Sequence, residues 1–200
     1  MKKEFLIFLI FLITSSLVLA ANGNSGNGQG VANGTQNYTG SLNQNQVRVQ
    51  AGTYMNQAGE QMQIREGVGN ETRLQVGGVE AKSKMQIGSE YDSAQNRTKL
   101  KTQLSNGRNA EIKVMPNTAS ERAIERLQLN FCNSENNCSI ELKEVGNGEQ
   151  AKLAYEVKAQ KEARVLAMFK TKMQVRAQID AETEEVIQAK KPWWAFLATE

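Results

Sequence analysis

The chain of 200 residues contains no histidine. Ser–His–Asp and Cys–His nucleophilic centres are therefore excluded, and any zinc site would lack its usual imidazole ligands. Cysteine is nearly as scarce, at two residues, which is too few for a thiolate metal cluster. Neither G-x-x-x-x-G-K-[ST] nor G-x-G-x-x-G occurs, so no phosphate-cradling loop is recognisable. A strong charge of one sign is also missing. The net formal charge is +3, and without residues 1–20 it falls to about +2 (22 basic, 20 acidic). The basic residues alternate with acids or amides, so the basic stripe with stacking aromatics that nucleic acid would require is not present. Carboxylates are the remaining source of chemistry, and they are densest at Glu182, Glu184 and Glu185. A glycosidase-like pair needs a cleft that separates the two pKa values, whereas these three lie in a polar turn. The expectation is a protein with no catalytic residues, no metal and no other cofactor.

Long apolar runs are absent except at the start. Residues 1–20, MKKEFLIFLIFLITSSLVLA, combine Lys2 and Lys3, an apolar run over 5–13 and a closing Val18-Leu19-Ala20. That is the order of a secretory signal peptide, with cleavage expected after Ala20 or Ala21. The alternative is an uncleaved N-terminal membrane anchor, although Thr14, Ser15 and Ser16 break the run short of the ~20 residues that span a bilayer. Residues 21–46 form an Asn/Gly/Gln-rich linker. Of residues 22–46, 21 are Asn, Gly, Gln, Ser or Thr and none is charged, too little apolar surface to offset chain entropy. Asn33, Asn37, Asn70 and Asn96 each begin an Asn-x-Thr glycosylation pattern.

From about residue 47 the hydropathy alternates with period two. Residues 79–87 place Val79, Ala81, Ser83, Met85 and Ile87 on one face and charged or amide residues on the other. Thr98, Leu100, Thr102 and Leu104 repeat the pattern, as do Ala110, Ile112 and Val114, while residues 62–65 and 72–76 are shorter pieces. Half-buried antiparallel strands have this signature. Asn106-Gly107 between two of them predicts a type I′ turn, whose two central residues both need φ > 0. Residues 47–114 thus read as an N-terminal β-meander. A helix over about 118–129 follows, with Thr118 and Glu121 spaced as a capping box. Ala119, Ala123, Ile124 and Leu127 form its apolar stripe, and Glu121, Arg122, Glu125 and Arg126 face water. The fold class is α+β: mainly antiparallel β-meander sheets with one amphipathic helix packed on the sheet.

Cys132 and Cys138 are read as a disulfide closing a small polar loop, worth about 2 kcal/mol by loop-closure entropy. Strands then resume. Leu153, Tyr155, Val157 and Ala159 alternate with Ala154, Glu156, Lys158 and Gln160. Met173, Val175, Ala177 and Ile179 face away from Lys172, Gln174, Arg176, Gln178 and Asp180, a turn covers 180–184, and residues 185–190 form the last strand. Between the long strands, residues 165–169 are apolar at every position and include Leu166 and Phe169. This segment is either a strand buried on both faces or an exposed hairpin tip.

Tyr155-Glu156-Val157, then Val175-Arg176-Ala177-Gln178-Ile179-Asp180-Ala181-Glu182-Thr183, then Val186-Ile187 resemble the PepSY domain pattern. The resemblance covers roughly residues 116–190 within a second region, 115–192. It implies an extracytoplasmic module without chemistry of its own, tied to peptidase propeptides and their regulators. One departure is that the glycine which follows the threonine in that pattern is Glu184 here. The whole chain also resembles small secreted proteins predicted from archaeal genomes that end in a KPWWAFLA-type tail. The expected function is a secreted or cell-surface non-catalytic binding module that contacts or regulates an extracytoplasmic peptidase. The alternative is a structural component of the cell envelope. An extracytoplasmic protein partner and peripheral or N-terminally anchored membrane association are expected, and nucleic acid is not.

Both tryptophans sit side by side in the tail 193–200. Six residues from Trp193 to Ala198 cannot span a membrane. Three readings remain: a lid over an open face or edge of the sheet, a docking tag, or a membrane-interface contact of the kind tryptophan favours. Trp193, Trp194 and Phe196, with Leu166 and Phe169, are the candidate contact residues.

Overall fold

The computed structural model describes residues 48–133, 136–166 and 168–199. The secretory segment, the linker, Asn33 and Asn37 lie outside them. The first four strands, β1 (Gly52–Met55), β2 (Gln61–Glu66), β3 (Thr72–Val76) and β4 (Val79–Ser83), form an antiparallel meander in which Met62 faces Val76 and Leu74 faces Ala81. The next three, β5 (Ile87–Asp92), β6 (Arg97–Gln103) and β7 (Asn109–Ile112), make a separate three-stranded sheet. After the helix α1 (Pro116–Leu127) come β8 (Ser139–Val145), β9 (Lys152–Val165), β10 (Phe169–Asp180), β11 (Val186–Lys190) and the short β12 (Ala198–Thr199). These join β1–β4 in one sheet of order β1-β2-β3-β4-β8-β9-β10-β11, with β12 added on β9. Strands from both sides of residue 114 therefore share the large sheet. The β4–β8 junction is its parallel step, made at Lys82 and Glu141.

The α+β architecture read from the sequence is the one observed, a mostly antiparallel sheet with one helix packed on it. One apolar core joins both sheets and the helix. It includes Met62, Leu74 and Ala81 from the first meander, Ile87, Leu100 and Ile112 from the small sheet, Ala119, Ala123 and Leu127 from α1, and Tyr155, Val157, Met173 and Ile179 from β9 and β10. Tyr155 is wholly buried and its hydroxyl donates to the carbonyl of Val114 at 2.9 Å, which gives the polar end of the ring a partner.

Several local expectations are corrected. Residues 79–87 do not form one strand. The chain turns at 84–86, where the Met85 N–H donates to Ser83 Oγ at 3.2 Å, and it leaves the large sheet for the small one. Ala81, Ser83 and Ile87 are all buried because both halves face the same core, so the two-residue period runs unbroken through the corner. Met85, at the corner, is half-buried. The capping box at Thr118 and Glu121 is not made: α1 begins two residues earlier, with Met115 as N-cap and Pro116 in its first turn. Proline is pre-set for that position and has no N–H needing a partner. The helix ends at Gln128, whose φ of 57° lets Leu129 N–H reach the Ile124 carbonyl at 2.9 Å. The Asn106-Gly107 turn has positive φ only at Gly107 (82°), and Leu104 exchanges backbone hydrogen bonds with Gly107 and Arg108. It is therefore a three-residue loop ending in a glycine, not a type I′ turn.

Candidate functional site: the apolar end of the β9–β10 hairpin

β9 and β10 pair over their whole length, from Ala154 opposite Asp180 to Val165 opposite Phe169. Their outer neighbours stop earlier. β8 ends opposite Lys158, and β11 ends opposite Arg176. Seven residues of β9 (159–165) and seven of β10 (169–175) therefore continue as a two-stranded arm, about 20 Å long at the rise of a β-strand.

The segment 165–169 is the tip of this arm. Of its two sequence readings, the exposed hairpin tip is the one observed. Leu166 takes a φ of 53° at the turn and Met168 N–H closes it on the Val165 carbonyl at 3.1 Å. Leu166 is 58 % exposed, Met168 72 % and Phe169 64 %. Phe169 shares a strand face with Met173 and Val175, so it continues the core face beyond the point where the core ends.

The tail reaches this tip from the other side of the sheet. Lys190 lies beside Arg176 on the β11 edge of β10, whereas Ala198 pairs with Val165 on the far edge of β9. Residues 191–197 must therefore cross the arm. They do so as a short 3₁₀ helix, Trp193–Leu197. Trp194 and Ala195 pack against the core cluster, to which the arm contributes Ala163 and Met173. Leu166 N–H donates to the Leu197 carbonyl at 3.0 Å, tying the tip to the tail. Three residues per 3₁₀ turn put Trp193 and Phe196 on one side, and these are 80 % and 76 % exposed. The arrangement gathers five of the largest exposed apolar side chains of the described residues: Leu166, Met168, Phe169, Trp193 and Phe196. Leu197, also partly exposed, lies between the two groups.

The other residues singled out in the sequence lie elsewhere. Cys132 and Cys138 form a disulfide, with Cα atoms 5.1 Å apart. Asn70 and Asn96 are exposed at separate turns, with φ of 62° and 53°. Asn96 accepts a hydrogen bond from the Tyr91 hydroxyl at 2.6 Å. Glu182 and Glu184 are each engaged by an arginine, Arg108 at 2.7 Å and Arg122 at 2.5 Å, and do not pair with each other. Glu184 adopts a φ of 70°, so the turn takes the left-handed conformation a glycine would give it. Among the described residues no group of three or more acidic or cysteine side chains is placed to hold a metal ion, and no helix is long and apolar enough to cross a membrane.

Two features escaped the sequence reading. Met168 belongs to the tip, although only its neighbours were picked out of the same apolar run. The second is Glu156, which period two places on the outer face of β9. That face is not open here: Ala154 and Glu156 are 0 % and 1 % exposed. The Glu156 carboxylate accepts from Lys143 Nζ at 2.8 Å, Lys158 Nζ at 2.7 Å, Arg176 Nη1 at 3.2 Å and Gln178 Nε2 at 3.1 Å. The arms of its own partners cover it. Burial pushes its pKa up, but the hydrogen bonds from Lys143, Lys158 and Gln178 outweigh that and hold it down at about 2. The charge spacing along β9 is visible in the sequence, but the meeting of Lys143 and Arg176 at Glu156 is a matter of register.

No family model, curated protein or solved structure matches the chain.

Proposed function

We propose that the protein is an exported, non-catalytic binding module whose contact surface is the apolar end of the β9–β10 arm together with the Trp193–Leu197 turn. The observation that carries this reading is the gathering of exposed apolar side chains from two segments more than twenty residues apart in sequence. Three aromatic side chains exposed by 64 % or more, at about 200 Å² each, present roughly 400 Å² of apolar surface. Leu166 and Met168 add to this, and the largest patch on an ordinary monomer is only about 300–600 Å². Residues whose sole role was packing would be turned the other way, as Trp194 is.

Export is supported by the disulfide, which persists in oxidising compartments, and by the secretory pattern of residues 1–20. The peptidase-linked reading rests on the PepSY resemblance. In its favour, the pattern's strands are neighbours here, with Tyr155 opposite Ile179 and β11 next to β10, and Glu184 keeps the glycine-like turn.

The test is a photo-crosslinking residue placed at position 169 or 196 in cells of the native host, with position 90 on the small sheet as the exposed control. The expected outcome is adducts with protein or lipid at 169 and 196 but not at 90. Equal yields at all three positions, or none, would refute the contact surface.

A further inference from the structure

We infer that the occupant of this surface is an anionic membrane interface, into which the arm tip and the Trp193–Phe196 side of the tail insert. The inference rests on the contact surface proposed above and assigns its partner. Charge complementarity carries it. The arm end and the tail that crosses it, residues 162–172 and 190–198, contain Arg164, Lys170, Lys172, Lys190 and Lys191 against one acidic residue, Glu162 opposite Lys172, in a chain that is otherwise nearly balanced. All five basic residues are exposed. The surface is also a tip, not a groove: a turn and one side of a short helix offer side chains outward and enclose nothing.

The spacing suits a bilayer interface. Lys170 and Lys172 lie one and three residues up the strand from Phe169, about 3 and 10 Å at the rise of a strand. Each headgroup layer is roughly 5–8 Å thick. With Phe169 at the acyl boundary, Lys170 stands within the headgroups and Lys172 at their outer edge. Strand alternation puts both lysines on the face opposite Phe169, with Arg164 opposite Lys170 and Glu162 opposite Lys172, so the arm end has an apolar inner side and an outer side of net positive charge. Tryptophan, phenylalanine and lysine are the residues that anchor proteins at this depth.

Trp193 and Trp194 are the only tryptophans, so tryptophan emission reports on the tail alone and is blind to lipid contact by the N-terminal apolar run. The experiment uses the full chain carrying Trp194→Phe, titrated with vesicles whose acyl chains are brominated, from sub-saturating lipid upward. The vesicles are either pure phosphatidylcholine or one-third phosphatidylglycerol. Trp193 emission is expected to be quenched several-fold more in the anionic vesicles, and the difference is expected to disappear at ~1 M salt, where the Debye length is about 3 Å. Each lysine near an anionic surface is worth about fivefold in binding constant. Replacing Lys170 and Lys172 together by Gln is therefore expected to weaken binding to the anionic vesicles about 25-fold. Absence of quenching in both vesicles would overturn the inference. Equal, salt-independent quenching would also overturn it, by removing the anionic requirement. Absence of quenching alongside protein adducts from positions 169 and 196 would sink the membrane assignment and leave the binding-module reading standing, with a protein as its partner.

Discussion

Replacing Glu156 by Gln tests the charge cluster on the outer face of β9 without changing side-chain shape. In the folded chain its carboxyl is held at about 2, against an ordinary value of 4.5. A depressed folded pKa means that folding favours the charged form. The contribution is complete above about pH 4.5 and is lost as pH falls through about 2. At about 1.4 kcal/mol per pH unit, the full shift corresponds to roughly 3 kcal/mol. The side chains of Lys143, Lys158 and Arg176 are 32 %, 51 % and 36 % exposed, so water screens part of this. Allowing for the screening, Glu156→Gln is expected to cost about 1–2 kcal/mol at pH 7, or about 2–8 °C in Tm for a domain of this size. Urea unfolding of both proteins at pH 7, 3 and 2 reads the difference directly. About half of it should be gone near pH 3 and nearly all near pH 2, because the unfolded carboxyl is neutral below about pH 4.5 and the folded one takes up its proton as pH nears 2. High salt at pH 7 should shrink the difference as well. Equal stability of the two proteins at pH 7 would refute the argument. So would a difference that stays constant down to pH 2, since that would assign the cost to packing and not to charge.

Removal of the tail by truncation after Lys191 is expected to destabilise the fold by about 3 kcal/mol, because the half-buried Trp194 covers well over 100 Å² of apolar surface. Thermal unfolding reads this, and an unchanged Tm would mean that the tail is not part of the core. Gly146→Ala tests the turn between β8 and β9. The φ there is +81° and an added Cβ would lie 2.6 Å from the Gln150 carbonyl oxygen, so a loss of about 2 kcal/mol or more is expected in urea unfolding. A change of less than 0.5 kcal/mol, the usual range for a harmless surface substitution, would contradict that geometry.

The strands were legible because their period-two patterns report one buried face, and Leu100, Ile112, Val157 and Val175 are buried as their alternation requires. Residues 79–87 mark where this signal stops. A corner that keeps the same residues facing the core leaves the period intact, so two strands of different sheets read as one. Glu156 fails for a related reason. Alternation assigns it to the outer face correctly, but says nothing about whether neighbouring lysine and arginine arms will close over it. That depends on Lys158 standing opposite Arg176 and on Lys143 arriving one strand away, and register across β8, β9 and β10 is a long-range property. The helix start shows a competition between two local signals, in which Pro116 prevailed over the Thr118–Glu121 spacing.

The paired tryptophans follow from the geometry of the turn that carries them. In a 3₁₀ helix consecutive residues point about 120° apart. Adjacent tryptophans therefore cannot serve the same surface. Trp194 turns onto the core, and Trp193 turns outward with Phe196. The packed residue fixes the crossing of the arm, and the crossing carries the exposed one on the same turn that is tied to Leu166 through the Leu197 carbonyl. Folding and contact are thus assigned to neighbouring residues of one turn. The two roles separate experimentally: substitution of Trp194 should lower stability, whereas substitution of Trp193 should leave it nearly unchanged.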